Sequence, residues 1–347
     1  VRHDAGRPDF LQHKRRITGR SLAVPTLAER LREHGGAVIF SNVSPGAAYA
    51  HDPDGHGHIY HRAGSFGRAR IALPEAEQLR VTLDVAGDRA MTDRFIAEAV
   101  LAPNPPALAV MWLGEPDSSQ HALPLGSPEH LAILKDADRN AKRVMDAVAQ
   151  LPANDDVLFL LGSDHGHQTV SSVIHIEAEL VAAGLKESLD SDDVVVASNG
   201  TSALIYLHPS VTEREATITS FLADQHWAGL VVPKAELHRV GQSVDNGLVC
   251  AVAMRATDAP NAYGIIGTSF AAKRSEGKED VIGAGQHGGL GAAEQSPFLM
   301  ISGPGFMSGA VRTDAASVIG IAPTILAHLE LPGSGMDGNA LQRGGHG

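Results

Sequence analysis

The sequence predicts an α/β protein with a mostly parallel central sheet flanked by helices and with an inserted strand-rich lobe. Apolar runs of strand length alternate with helical patterns, which is typical of parallel βαβ units. With 347 residues, the chain is long enough for one large α/β domain with an insertion or for two domains. From about residue 185 to about residue 278 the pattern changes to short strand-like runs and turn residues, which indicates the lobe.

The apolar runs predict the strands, and the segments between them predict the helices. Strands are expected, in chain order, at Ala37–Ser41, Ala107–Leu113, Val157–Leu161, Val194–Ala197, Ala203–Leu207, Val249–Met254 and Pro297–Ile301. Helices are expected at Thr26–His34, at Ser127–Gln150, from Thr212 toward Gln225, and at Ser317–Leu329.

Local signals support three of these helices. Gly35 and Gly36 stop the first one. Ser127 suits an N-cap and Pro128 the first helical position, and Thr212-Glu-Arg-Glu215 is a capping-box pattern. The apolar positions of the long second helix fit one buried face, made of Leu131, Leu134, Val144, Ala147 and Val148.

The change in pattern also predicts the domain organisation. Residues 1–184 and 281–332 are expected to form the α/β core, and residues 185–280 the inserted smaller lobe. Residues 333–347 are rich in glycine and are expected to be a flexible tail.

Composition narrows the classes of partner. The net charge of −12 argues against binding to duplex nucleic acid, which requires basic side chains to neutralise phosphates. It leaves room for a small anionic substrate, because bound metal cations reverse the local field. No apolar run approaches the roughly 20 residues that a membrane span needs. Cys250 is the single cysteine, so an internal disulfide is excluded and the cellular compartment stays open.

Three short stretches carry the residues typical of a metal site. Asp117 and His121 follow the strand predicted at Ala107–Leu113, and the adjacent Asp164 and His165 follow the strand predicted at Val157–Leu161. His287 lies in a glycine-rich turn shortly before the last strand. Ligands of open α/β sheets bind at the carboxyl ends of the strands, so the first two stretches place Asp and His at that edge.

Carboxylate oxygens and imidazole nitrogens together suit Zn²⁺ and its neighbours. Five such ligands are too many for one tetrahedral ion and about right for two. A pair of metal ions about 4 Å apart holds both the attacking and the leaving oxygen of an in-line displacement at phosphorus. The pattern therefore indicates two-metal phosphate-ester chemistry.

A fourth stretch, His51–His61, repeats the Asp-x-x-x-His spacing twice, at Asp52/His56 and at Asp54/His58. It is interrupted by Gly and Pro, and no predicted strand precedes it. We expect a solvated loop there, with a secondary metal patch as the alternative.

The motifs resemble those of the alkaline phosphatase superfamily, in its type I phosphodiesterase/nucleotide pyrophosphatase branch. They occur in family order over residues 107–329 and comprise Glu115-Pro-Asp-Ser-Ser-Gln-His121, Ser163-Asp-His-Gly-His167, Gly285-Gln-His-Gly-Gly289, Pro297-Phe-Leu-Met-Ile-Ser-Gly-Pro-Gly-Phe306 and Ile321-Ala-Pro-Thr-Ile-Leu326. The resemblance implies an alkaline phosphatase-like fold. Residues 20–50 are also similar to bacterial members.

The resemblance implies two zinc sites. Asp117, His121 and His287 would hold one Zn²⁺, and Asp164 and His165 the other. In the family, the second zinc also takes an Asp on the first strand and a Thr or Ser nucleophile at a helix start, both upstream of the part that matches residue 20 onward.

The nucleophile segment is not found in this chain. Thr26 and Ser44 adjoin prolines in a different context, and no predicted strand precedes Asp4 or Asp9. We therefore expect the nucleophile outside these 347 residues and expect the chain as given to be inactive.

Two further positions bear on the substrate. Gln120 stands where these proteins usually have Gly before the ligating His, and this longer side chain is expected to affect how the substrate fits. Trp112 lies five residues before Asp117, where this branch tends to place an aromatic residue that lines the nucleotide pocket. The alternative for Trp112 is packing in the core.

The expected function is hydrolysis of phosphodiester or pyrophosphate bonds, with nucleotide-type small molecules as substrates, two Zn²⁺ ions as cofactors, and a covalent intermediate on the upstream Thr or Ser. The alternatives are a phosphomonoesterase or phosphonoacetate hydrolase of the same superfamily, or a catalytically inactive metal-binding protein.

Overall fold

The strands form one three-stranded parallel sheet, two four-stranded sheets and one two-stranded sheet in a computed structural model that describes residues 5–274 and 279–342. The strands are β1 Ala37–Ser41, β2 His58–His61, β3 Leu108–Trp112, β4 Phe159–Gly162, β5 Gln168–Ile174, β6 Val194–Asn199, β7 Ser202–Leu207, β8 Ala228–Pro233, β9 Leu248–Met254, β10 Ala256–Pro260, β11 Ile266–Ala272, β12 Gly285–Gln286 and β13 Leu299–Ser302. The helices are α1 Phe10–Thr18, α2 Leu27–Leu31, α3 Pro45–Ala50, α4 Val85–Phe95, α5 Asp117–Gln120, α6 Pro128–Val148, α7 Ile176–Ala182, α8 Glu215–Ala223 and α9 Ile321–His328.

The predicted α/β class is confirmed, with additional antiparallel sheets beside the parallel one. Each predicted strand is present, and its ends lie within two residues of those expected. The sequence missed β2, β5, β8 and β10–β12. Most of these strands are short, polar or interrupted by Gly and Pro, so they lack the apolar run on which the prediction depended.

The predicted helices are present. α6 begins at Pro128 as expected, and the Ser127 hydroxyl caps it by accepting the His130 amide at 3.2 Å, whereas α8 and α9 begin later than expected. The Thr26 side chain caps α2 by accepting a hydrogen bond from the Glu29 amide at 3.1 Å. Thr212 does not cap a helix, because it lies in a 3-10 segment, Pro209–Arg214, that precedes α8.

The chain divides into two compact units. The first comprises Val1–Ser118, Ile133–Leu161 and Leu299–Gly347, and the second comprises Ser119–Ala132 and Gly162–Phe298. The predicted division into core, lobe and tail stays a prediction, and the last part of the tail, residues 343–347, lies outside the described residues.

The first unit is organised around β1, which pairs in parallel with β2 on one side and with β3 on the other. A strand that is covered on both faces needs apolar side chains in succession, and Ala37-Val-Ile-Phe-Ser41 provides them. Phe40 is fully buried, stacks on Tyr60 at 4.3 Å and meets Phe95 of α4 edge-on. Burying a side chain of this size contributes about 1.5–3 kcal/mol.

The predicted face of α6 is partly wrong. Val144 and Ala147 are buried as expected, but Leu131 and Leu134, nearer the start of the helix, are 51% and 43% exposed. His130, Asn140 and Ala141 are buried instead, so the buried side of this helix includes polar residues that the apolar pattern did not indicate.

The prediction of a solvated loop at His51–His61 is wrong. Asp52 is buried, and its carboxylate accepts hydrogen bonds from the backbone amides of Gly55, His56 and Gly57. The Arg15 guanidinium and the Ser21 hydroxyl both donate to Asp54. The stretch then becomes β2, which pairs with β1, and Ile59 and His61 of this strand are buried. The carboxylates thus bind amides, a hydroxyl and a guanidinium within the protein.

The second unit contains two four-stranded sheets, with strand orders β10-β11-β5-β12 and β6-β7-β9-β8. The second of these is antiparallel, and alternate residues of β7 are buried, as expected for a sheet with one covered face. Ile205, Cys250 and Trp227 form part of its core. Burial raises the pKa of the Cys250 thiol to about 12, so this cysteine behaves as a small core hydrophobe.

Among the residues that the structure describes, no helix is both long enough and apolar enough to cross a bilayer.

His61 gives the stability of the first unit a dependence on pH. Its Nδ1 accepts a hydrogen bond from the Ala63 amide at 2.9 Å, while Nε2 lies 2.9 Å from the Val43 carbonyl. The neutral ring satisfies both partners, and a proton on Nδ1 would oppose the amide. Burial is the main cause that lowers the pKa of His61 to about 4.

The unfolded chain therefore takes up this proton first as the pH falls. Between pH 6.5 and about 4, we expect the contribution of His61 to the free energy of unfolding to fall by about 1.4 kcal/mol per pH unit. Denaturant unfolding of the wild type and of His61→Asn at several pH values measures it. Their stability difference should narrow toward low pH, and a difference independent of pH would contradict the assignment.

Candidate metal centre

Two predicted ligands lie in the turn that joins β4 to β5. This turn, Ser163-Asp-His-Gly-His167, carries three side chains able to bind a metal. The Ser163 hydroxyl donates to the His165 carbonyl at 2.6 Å, and the Gly166 amide donates to the Glu294 carbonyl at 2.9 Å. A Cβ on Gly166 would lie 2.1 Å from the Ala293 carbonyl oxygen, so the close approach of these two segments requires glycine.

The pairing of β12 with β5 brings His287 to this turn. Gly285 pairs with Thr169 and Gln286 with Gln168 in antiparallel register. His287 directly follows β12, and His167 directly precedes β5, so the two histidines meet at the end of the ladder. Their ring centroids are 5.1 Å apart.

His121, which follows α5, approaches the same place. Its Nδ1 lies 3.2 Å from the Gly285 carbonyl oxygen. A carbonyl only accepts, so Nδ1 carries the proton of the neutral ring and Nε2 keeps its lone pair for a metal. The ring centroid of His121 is 5.4 Å from that of His167 and 5.2 Å from that of His287.

Asp117 completes the group. It opens the four-residue helix α5 and precedes His121 by four residues. The half-buried Asp117, His121, His167 and His287 each offer one ligand atom, and all four atoms lie within 4.8 Å of one another. Three of these four residues are ligands predicted from the sequence.

The other two predicted ligands lie outside that group of four. The ring of His165 stacks on that of His287 with centroids 3.6 Å apart, and its Nδ1 lies 3.1 Å from the Gly166 carbonyl oxygen. The carboxylate of the exposed Asp164 is 3.4 Å from His165 Nε2 and accepts the His165 amide at 3.1 Å. The assignment of Asp164 and His165 to a second metal stays a prediction.

The donor set fits a metal ion. One carboxylate oxygen and three imidazole nitrogens are the ligand types that zinc binds with four-coordinate geometry. The arrangement also suits other borderline divalent ions, because imidazole binds Zn, Cu, Fe and Ni.

His167 is the residue that the sequence prediction missed. It lies two positions after His165, and the only signal for it in the sequence was its place in the polar turn. What makes it a neighbour of His287 is the register between β5 and β12, and no local pattern encodes that register.

Two positions singled out in the sequence have other contacts. The side-chain amide of Gln120 lies 3.0 Å from Nε2 of the buried His130. Burial, with a smaller effect of charge on His167, lowers the pKa of His130. Trp112, at the end of β3, meets the ring of His51 edge-on at 5.5 Å. Its role in a nucleotide pocket stays a prediction.

A buried carboxylate fixes the backbone just before Asp117. Asp88 of α4 accepts hydrogen bonds from the Asn42 side chain at 2.8 Å and from the amides of Gly114 and Glu115 at 3.1 Å and 2.8 Å. Burial raises the pKa of Asp88, and these hydrogen bonds partly oppose that shift. The sequence offered no signal for this contact, because Asp88 lies in a helix that was not predicted.

Comparison with known proteins decides the family. The sequence profile described as type I phosphodiesterase / nucleotide pyrophosphatase matches residues 21–263, well over half of the chain. The chain belongs to this family. The resemblance inferred from the motifs is thereby confirmed.

Solved structures of similar fold agree with this membership. Murine ectonucleotide pyrophosphatase / phosphodiesterase 5 superposes with a TM-score of 0.60 at 18% identity, covering 89% of this chain and 72% of that one. The human protein of the same name gives 0.57 at 16%, covering 89% and 71%. Phosphonoacetate hydrolase from Sinorhizobium meliloti 1021 gives 0.55 at 15%, covering 80% and 68%. At these identities the likeness concerns the fold alone. A search of the curated proteins gives no match.

The turn around His287 in this phosphodiesterase family member depends on glycine. Gly288 has φ +111°, and a Cβ there would lie 2.4 Å from the Asn199 carbonyl oxygen. Gly283 has φ +89° but open space around it. A substitution at Gly283 therefore introduces backbone strain without a steric clash.

We expect Gly283→Ala to lower the free energy of unfolding by about 1–3 kcal/mol through strain alone. Gly288→Ala should lower it further and displace His287. Denaturant unfolding measures the first effect, and the NMR shifts of the histidine ring protons report the second. Equal losses in the two variants would show that the contact with Asn199 does not constrain the turn.

Proposed function

We propose that this protein is a two-metal hydrolase of phosphodiester or pyrophosphate bonds in nucleotide-type small molecules. The observation that carries the proposal is the group of Asp117, His121, His167 and His287, whose ligand atoms lie within 4.8 Å of one another, in a member of a phosphodiesterase family. The family membership supports the class of reaction, and the donor set supports the use of metal.

The proposed ligands divide between two ions. Asp117, His121 and His287 hold one Zn²⁺, and Asp164 and His165 contribute to the second, with His167 available beside them. Bound zinc would act as a Lewis acid that lowers the pKa of the attacking hydroxyl and neutralises charge on the phosphate.

The chain's own residues prepare this site before any metal binds. The contact of His121 Nδ1 with the Gly285 carbonyl orients the ring and directs its lone pair away from β12. The stacking of His165 on His287 keeps both rings parallel, within 17°. A net charge of −12 would repel a phosphate ester, so cations held at this cluster would provide the local attraction.

The nucleophile is proposed to be a Thr or Ser hydroxyl outside these 347 residues. Its oxygen would form a bond to phosphorus while the bond from phosphorus to the leaving oxygen breaks, giving a covalent phosphoryl or nucleotidyl ester. Water would then hydrolyse that ester.

Two neighbours suggest the substrate. An inactive variant of the murine ectonucleotide pyrophosphatase / phosphodiesterase 5 is known in complex with AMP, which supports a nucleotide substrate here. Trp112 is proposed to line the pocket for it. The Sinorhizobium meliloti phosphonoacetate hydrolase is known in complex with phosphonoacetate, which keeps that reaction as the alternative, together with phosphomonoester hydrolysis.

Metal binding is the first test. We expect the purified chain to take up zinc, and His121→Ala and His287→Ala to weaken binding at least about tenfold, because each removes one of the few protein ligands. His238→Ala, an exposed histidine in the same unit, is the matched control and should bind as the wild type does. Elemental analysis and competition with a zinc indicator measure it. A wild type that retains no metal would reject the proposal.

Activity is the second test. With zinc supplied, we expect the chain as given to hydrolyse a nitrophenyl ester of AMP feebly or not at all, and a chain extended upstream in the same reading frame to hydrolyse it. His287→Ala in the extended chain should abolish turnover. Phosphonoacetate and a nitrophenyl monoester, assayed in parallel, distinguish the alternative reactions. Equal turnover by both chains would place the nucleophile within residues 1–347.

A further inference from the structure

A buried carboxylate lies directly behind the turn that carries His287. Glu294 is 2% exposed. Its Oε2 accepts the Gly289 amide at 2.9 Å, and its Oε1 accepts the Gly291 amide at 2.8 Å. Both amides belong to the glycine-rich segment that follows His287. One carboxylate therefore fixes the backbone that leads out of this histidine.

Thr201 completes the contact from the turn between β6 and β7. Its hydroxyl donates to Glu294 Oε2 at 2.6 Å and accepts the Gly289 amide at 2.8 Å. Its own amide donates to the His287 carbonyl at 3.1 Å. Thr201 is only 1% exposed. One residue thus binds the backbone at His287 itself and at the second residue after it.

The backbone of Glu294 reaches the other histidine turn. Its carbonyl accepts the amide of Gly166, the residue between His165 and His167. The side chain of Glu294 therefore holds the turn after His287, and its main chain holds the turn that carries two further imidazoles.

Burying a carboxylate is costly unless hydrogen bonds replace its water. Here the side-chain oxygens accept hydrogen bonds from two amides and one hydroxyl. An apolar side chain of similar size would fill the space without that cost but would leave the Gly289 and Gly291 amides buried without this acceptor. The carboxylate is therefore suited to fixing the turn rather than to filling the core.

We propose that Glu294 and Thr201 are positioning residues of the metal centre. They hold the backbone at His287 and in the segment that follows it, and Glu294 also holds the turn of His165 and His167, so that the imidazoles are in place before the ion binds. The inference rests on the proposed function only in taking these histidines as metal ligands.

The sharpest test compares two substitutions of one residue. Thr201→Val is nearly isosteric and removes the hydroxyl, whereas Thr201→Ser keeps it. We expect Thr201→Val to weaken zinc binding by about 10- to 100-fold, as other contacts that orient ligands do, and Thr201→Ser to restore most of it. Glu294→Gln should weaken binding at least as much, since its amide group would oppose a backbone N–H.

A stability control comes from the same unit. Lys186 is fully buried and donates to the carbonyls of Ser191 and Val194. These contacts do not involve the histidine turns. Lys186→Met should lower stability without changing zinc affinity or the visible spectrum of the cobalt-substituted protein. Thr201→Val and Glu294→Gln should alter both.

A second readout needs no metal. Hydrogen exchange of the Gly166, Gly289 and Gly291 amides, followed by NMR in the metal-free protein, should be faster in Glu294→Gln and unchanged in Lys186→Met. Wild-type zinc affinity together with an unchanged cobalt spectrum in Thr201→Val would overturn the inference. If the wild type bound no metal, the proposed function would fail, and amide exchange alone would decide: lost protection would uphold the contact's role in holding the turns, and retained protection would refute it.

Discussion

The candidate site depends on one short antiparallel pairing, in which Gly285 and Gln286 of β12 lie against Thr169 and Gln168 of β5. This ladder brings His287 to His167, and it presents the Gly285 carbonyl to His121. Because side chains alternate along a strand, a slip of one residue would turn His287 to the opposite face and dissolve the cluster. The hydrogen bonds that hold the segments on either side of β12 help to fix this register.

Buried carboxylates stabilise irregular backbone at three places in the chain. Asp52 binds the amides of a turn before β2, Asp88 binds those of Gly114 and Glu115, and Glu294 binds those of Gly289 and Gly291. Loops cannot pair their own amides as helices and strands do, so a buried loop needs acceptors from elsewhere. In the second and third cases the stabilised loop carries a predicted metal ligand. The chain therefore uses buried carboxylates to bind the amides of loops that carry predicted metal ligands.

The strands that the sequence predicted differ in composition from the strands that it missed. β1 and β9 are continuous apolar runs, and burial of such runs is decided by their own composition, so the sequence identifies them. β2 contains two histidines and β12 is only two residues long, and both become strands because a partner is available. The same distinction applies to the site: Asp117, His121 and His287 were expected from motifs, whereas His167 joined them through pairing, and Glu294 and Thr201 through packing.

By itself, the sequence determined the α/β class, the family and the kinds of ligand, because apolar periodicity and short motifs are local properties of the chain. Only the tertiary structure decided which histidines stand together, which residues of α6 are buried, and which carboxylates bind the backbone rather than solvent. Those outcomes depend on contacts between residues far apart in the chain. Their free energies come from register and burial, which no local window of sequence contains.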